Sequence, residues 1–143
     1  FGLTDVVTDG VSILEGEQMV GSGTAITLTA SDLCGFMMTP DLTTDPADWH
    51  GVYNGGTTTG ETTSTSINFS DDAGTDFQVL RLEVDSNGTA RWYIDGDLKQ
   101  TVTGAVSTST DLAVLLMVEA KGNAIETMDV DYVLIETNRD WTA

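Results

Sequence analysis

The sequence predicts an all-β protein, an antiparallel two-sheet sandwich, and three observations carry that expectation. Apolar and polar residues alternate with a period of two through much of residues 77–136, the signature of strands that bury one face. Asn87-Gly88 and Asp95-Gly96 fall between alternating runs, where residues that accept positive φ cheaply close short hairpins. The second half shows no helical repeat.

The elements of the first half are short. Residues 6–23 mix acids with glycine and hold only brief apolar pairs (Val6-Val7, Ile13-Leu14, Met19-Val20), so they read as loops joining short strands. Residues 25–29 (AITLT) and 33–39 are strands, and 40–46 is a polar loop. Residues 49–54 (WHGVYN) form a strand that carries most of the local aromatic surface. The run 55–66 (GGTTTGETTSTS) has no apolar residue; it is either a flexible loop or a polar edge strand, because Thr favours extended backbone and Gly resists it. Ile67 and Phe69 resume the alternation before a loop over 70–76.

The second half is expected to be one meander. Residues 77–85 (FQVLRLEVD) set Leu80, Leu82 and Val84 against Arg81, Glu83 and Asp85. Residues 89–94 (TARWYI) place Ala90, Trp92 and Ile94 on one face and Arg91 and Tyr93 on the other, so only one of the two aromatics can face the core. Residues 98–102 return as a third strand. Residues 111–119 (DLAVLLMVE) are apolar enough to lie between two layers, and 125–135 (IETMDVDYVLI) line up Met128, Val130, Tyr132 and Leu134 on one side.

The order of these pieces, 80–85, 88–96, 112–118 and 128–135, resembles the C-terminal half of the concanavalin A-like lectin/glucanase jelly roll. The resemblance covers a little under half the chain. It implies that jelly roll as the fold, and it points to the settings in which the half-domain occurs: laminarinase-type glycoside hydrolases, laminin G-like modules, and tail and capsid surface proteins of bacteriophages. The residue types are those of any sandwich strand, so the likeness speaks for fold more than for activity. The opening FGLTD reads as the end of a strand already under way. Residues 1–143 are therefore expected to be a single jelly-roll domain lacking its first strands, a fragment of a longer chain.

Composition narrows the function. A chain of 143 residues that is 40% hydrophobic can build one core. No run approaches the about 18 apolar residues of a membrane-spanning helix, and the first residues lack a basic-then-apolar secretory pattern; no membrane role is expected. The net charge of −18, from 23 acids against 5 bases without a Lys/Arg cluster, repels phosphate backbones, so no nucleic-acid partner is expected. Cys34 is the single cysteine and has apolar neighbours in 33–38 (LCGFMM), the setting of a core thiol rather than a reactive one.

The chemistry-bearing residues do not assemble a catalytic pattern. Laminarinase-type hydrolysis needs acids in an E-x-D-x-E arrangement, so that one carboxylate attacks or stabilises the sugar and another donates a proton. Glu83-Val84-Asp85-Ser86-Asn87 breaks it at Asn87, and the Asp129/Asp131 pair lies where the resembling family carries structural residues. His50 is the only histidine and has no nucleophile elbow to serve, which also leaves zinc without ligands. No catalytic residue, metal ligand or cofactor is assigned. Calcium stays open as an alternative, since Asp71-Asp72 with Asp76, Asp95 with Asp97, and the Asp41, Asp45, Asp48 loop offer carboxylates without a D-x-D-x-D-G spacing. For a carbohydrate, the best group is Asp48, Trp49, His50 and Tyr53, with aromatics to stack on a pyranose and polar neighbours for hydroxyls. The same aromatics suit a core or a subunit interface.

The expected function is a non-enzymatic viral structural protein, a bacteriophage virion component that decorates or cements the capsid exterior. Its partners would be capsid or other virion proteins, and it would form a homotrimer or homodimer on the outer capsid surface. The alternative is a carbohydrate-binding, lectin-like adhesin module of a tail fibre or cell surface. A degenerate laminarinase-type glycoside hydrolase ranks third.

Overall fold

A computed structural model describes residues 1–6, 19–58, 67–74, 76–120, 125 and 127–137. Its strands are β1 (Gly2–Thr4), β2 (Met19–Ser22), β3 (Ala25–Leu28), β4 (Leu33–Met37), β5 (Asp48–Asn54), β6 (Asn68–Asp72), β7 (Leu80–Val84), β8 (Ala90–Ile94), β9 (Asp97–Val102) and β10 (Ala113–Leu115). Among the described residues there is no helix, and every pairing between these strands is antiparallel. The all-β expectation holds, and the architecture is consistent with a β-sandwich.

The strands distribute over a five-stranded sheet of order β10-β1-β4-β5-β6, a three-stranded sheet β7-β8-β9 and the β2-β3 hairpin. Period-two alternation sends the two halves of the central strands to different cores. From β4 and β5, Cys34, Phe36 and Tyr53 join Ala90, Trp92, Ile94 and Val102 of the three-stranded sheet in one cluster. On the opposite face Leu33, Val52 and Leu115 join Met19, Ile26 and Leu28 of the β2-β3 hairpin. The five-stranded sheet is thus covered on both faces, which is why β4 reads as a nearly continuous apolar run.

The turn chemistry operates as local physics requires. Asp95 and Gly96 both take positive φ (52° and 90°) and close a two-residue hairpin between Ile94 and Asp97. At the other hairpin the loop is one residue longer than a two-residue turn. The Gly88 amide donates to the Asp85 carbonyl at 2.9 Å and Gly88 alone is left-handed (φ 78°), so a turn over residues 85–88 is followed by a glycine bulge.

Several expectations are corrected. The meander of residues 77–136 stops at β9: β10 pairs with β1 in the other sheet. Its strand spans Ala113–Leu115, shorter than the expected 111–119. The cause is visible in the connection, where left-handed Gly104 turns the chain and the Ser107 amide donates to Asp32 Oδ1 at 2.7 Å, carrying it across the end of the body toward β1. Residues 127–135, expected as the closing strand, belong to no sheet and are exposed. Alternation fixes which side chains share a face but not which edge accepts the strand. Strand β6 runs through Asp72 into the expected 70–76 loop, and Met19-Val20 belongs to a strand rather than a loop. The Val7, Ile13 and Leu14 part of the first loop and residues 59–66 of the Thr-rich run lie outside the described residues.

Candidate functional site

Asp48, Trp49, His50 and Tyr53 all lie on β5, but the strand's pleat divides them. Trp49 and Tyr53 point toward the core shared with the three-stranded sheet, where Trp49 is half-buried and Tyr53 is 6% exposed. The indole N–H of Trp49 donates to Gln78 Oε1 at 2.9 Å, and its ring meets Phe36 edge-on at a 6.3 Å centroid distance. The Tyr53 ring tilts against Trp92 at 6.0 Å. Asp48 and His50 project from the other face, as their separation of one and three residues from Trp49 and Tyr53 requires. His50 is buried, and its Nε2 lies 3.2 Å from the Asp45 carbonyl oxygen, to which it donates. The four residues therefore do not form one open sugar platform: two are core aromatics, one is a buried imidazole, and Asp48 stands at the start of β5, paired with β6.

Asp48 takes part in a different arrangement. It faces Asp72 across the β5-β6 ladder, and a side-chain hydrogen bond with Asp48, reinforced by charge repulsion from it, raises the Asp72 carboxyl above the ordinary carboxylate range. A hydrogen bond between two carboxyls needs a proton on one of them. Next to this pair, Asp71 is bound by the Lys99 ammonium of β9, and Asp45 accepts from the Asn68 side-chain amide at 2.8 Å. Asp45, Asp48, Asp71 and Asp72, four of the carboxylates offered for calcium, thus engage protein partners. Asp95 likewise accepts the Val79 amide at 2.8 Å. Among the described residues no three His, Cys, Asp or Glu side chains are grouped to hold a metal.

The acids weighed for catalysis are held in surface pairs. Asp85 accepts the Arg91 guanidinium at 2.8 Å, which lowers its carboxyl below the usual range. Glu83 accepts the Tyr93 hydroxyl at 2.9 Å and lies 3.4 Å from Arg81, whose guanidinium sits 3.8 Å over the Tyr93 ring. The hydrogen bond to Glu83, helped by burial and the Glu83 charge, raises the Tyr93 phenol above its ordinary value against the opposing pull of Arg81 and Arg91. Glu83 and Asp85 thus have separate cationic partners on the outer face of the sheet, with no shared position between them for a reacting bond. Asp129 and Asp131 lie in the exposed 127–137 segment.

One structurally important acid escaped the sequence reading. Asp32, 6% exposed, accepts the Ser107 amide through its side chain and the Asp5 amide through its carbonyl, tying the β9-β10 connection and the end of β1 to the start of β4. Gly55 permits this: a Cβ there would stand 2.1 Å from Asp32 Oδ1, and its φ is 100°. The signal available in sequence was the Gly55-Gly56 pair after Asn54, which does not say which side chain it accommodates.

Compared with known proteins, the chain gives no significant match to a family model, a curated protein or a solved structure.

Proposed function

We propose that this chain is a non-enzymatic structural protein of a bacteriophage virion, a jelly-roll module that decorates or cements the capsid exterior. The observation that carries the proposal is the use the protein makes of its chemistry-bearing side chains. Trp49, His50 and Tyr53 are taken into packing, while Glu83, Asp85 and Asp71 are taken into ion pairs with Arg81, Arg91 and Lys99. Such an inventory favours a mechanical role. The resemblance of residues 80–96 and 112–135 to the modules of phage surface proteins supports the virion setting, and a net charge of −18 suits a face turned away from packaged nucleic acid.

In this role a rigid body adds contact area across capsid subunits and stabilises the shell because it binds the assembled state preferentially. The test is whether the chain copurifies with intact particles and is released from their outer surface by mild denaturant, leaving shells that rupture more readily. Recovery solely as free protein in the culture fluid, with particles unaffected by its loss, would refute the proposal.

A further inference from the structure

The three-stranded sheet covers the five-stranded sheet unevenly. Lys99 of β9 reaches Asp71 of β6, and Trp92 of β8 donates to the Gly35 carbonyl of β4, so the third strand, β7, lies toward β1 and β10. Among the described residues no strand pairs with its far edge. On the core side of that edge Leu80, Leu82 and Val84 are only half-buried. Across from them Val114, which shares a face with Leu3 and Cys34 by register, is 38% exposed, and Leu116 is 42% exposed. Apolar side chains of both sheets are thus left partly exposed on this side of the body.

The same chain carries a segment with the matching pattern. Residues 127–135 are unpaired, and Met128, Val130, Tyr132 and Leu134 alternate along one side, each between 41% and 70% exposed. Asp129 and Asp131 alternate on the other side. Set against β7, the apolar side would continue the core face of Leu80, Leu82 and Val84, and the acids would lie on the outer face beside Arg81, whose side chain is 53% exposed. The pattern and the length relative to residues 77–84 fit, and Arg81 offers a cation to the incoming acids beside Glu83 and Asp85, which keep Arg81 and Arg91 as partners.

We propose that residues 127–135 of one copy add as a strand to the β7 edge of a second copy, giving a reciprocal, two-fold strand-exchanged dimer. Each chain holds both the donor strand and the open acceptor edge, and within its own chain the strand lies outside every sheet. Two copies satisfy both at once. A specific interface needs roughly 800 Å² per partner; two added strands with four large apolar side chains each, together with the side chains that they cover, are of that class. The acidic net charge opposes association only over distances that salt screens, on the order of 8 Å at physiological ionic strength. The inference does not depend on the virion reading.

Sedimentation equilibrium on the full chain over a wide concentration range, at low and high NaCl, tests it together with amide hydrogen exchange. The expected result is a dimer favoured by salt, with slow exchange across 127–135, and loss of both in Val130→Lys, a substitution at a position exposed in the single chain. A monomer with fast exchange there overturns the proposal because the edge is then unused. A monomer with slow exchange overturns it because the chain then closes its own edge. A dimer unchanged by Val130→Lys also overturns it.

Discussion

The indole N–H of Trp92 donates to the backbone carbonyl of Gly35 at 2.7 Å, a hydrogen bond that joins the three-stranded sheet to the middle of the five-stranded one. Trp92 is 0% exposed and touches Tyr53 and Phe69, so it is both the largest buried side chain and a polar tie between layers. Gly35 also lets β1 lie close beside β4, since a Cβ at that position would collide with the Phe1 carbonyl oxygen.

Replacing Trp92 separates the two contributions. Trp92→Phe keeps an aromatic ring but removes the hydrogen bond to the Gly35 carbonyl, which stays in the β4-β5 ladder, at a cost of about 1 kcal/mol. Trp92→Ala adds the cavity and is expected to cost about 3–5 kcal/mol. Urea denaturation of the two variants should rank them in that order; equal stability of Trp92→Phe and the parent would mean that the bond contributes nothing.

Asp32 should behave as a structural tie. Asp32→Ala removes the acceptor of the Ser107 amide and is expected to destabilise the protein by about 2 kcal/mol. Exchange should become faster first at residue 107, measurable by amide hydrogen exchange, while the Trp92 environment stays intact.

The Asp48/Asp72 pair makes stability depend on pH with a definite sign. Asp72 titrates above its unfolded value because it shares a hydrogen bond with Asp48, so folding favours its protonated form. The favourable contribution is complete below the ordinary carboxylate value of about 3.9 and is lost as pH rises through the raised value. At pH 7 the pair is a liability. Asp72→Asn should therefore raise the melting temperature at neutral pH, with the gain fading on acidification below pH ~4; a gain that is constant with pH would contradict the shared proton.

Cys34 is fully buried between the sheets, and burial pushes its thiol well above the ordinary range. A thiolate is the reactive form, so the native protein should resist a thiol-modifying disulfide reagent at neutral pH and react fully in denaturant. Rapid labelling of the folded protein would show that the core opens locally at β4.

Legibility in the sequence followed the range of the forces involved. The β7-β8-β9 meander was readable because alternation, Gly88 and the Asp95-Gly96 turn are all local, and the same pattern put Trp92 and Tyr93 on opposite faces without saying which is buried. Cys34 as a core thiol was readable from its apolar neighbours. The proposed sugar group was not, because the adjacency of Trp49 and His50 in sequence is what separates them on a strand. The pairing of β10 with β1 was not readable either, since it rests on long-range contacts such as that between Asp32 and Ser107.

By itself the sequence determined the secondary-structure class, the faces of its strongest strands and the sign of the surface field, all consequences of residue type and spacing. Only the tertiary structure decided which strands share an edge, which acids find cations, and that residues 127–135 lie outside every sheet. The physical reason is that a period of two specifies which side chains point together, whereas sheet partners are selected by backbone hydrogen bonds and packing between segments far apart in the chain.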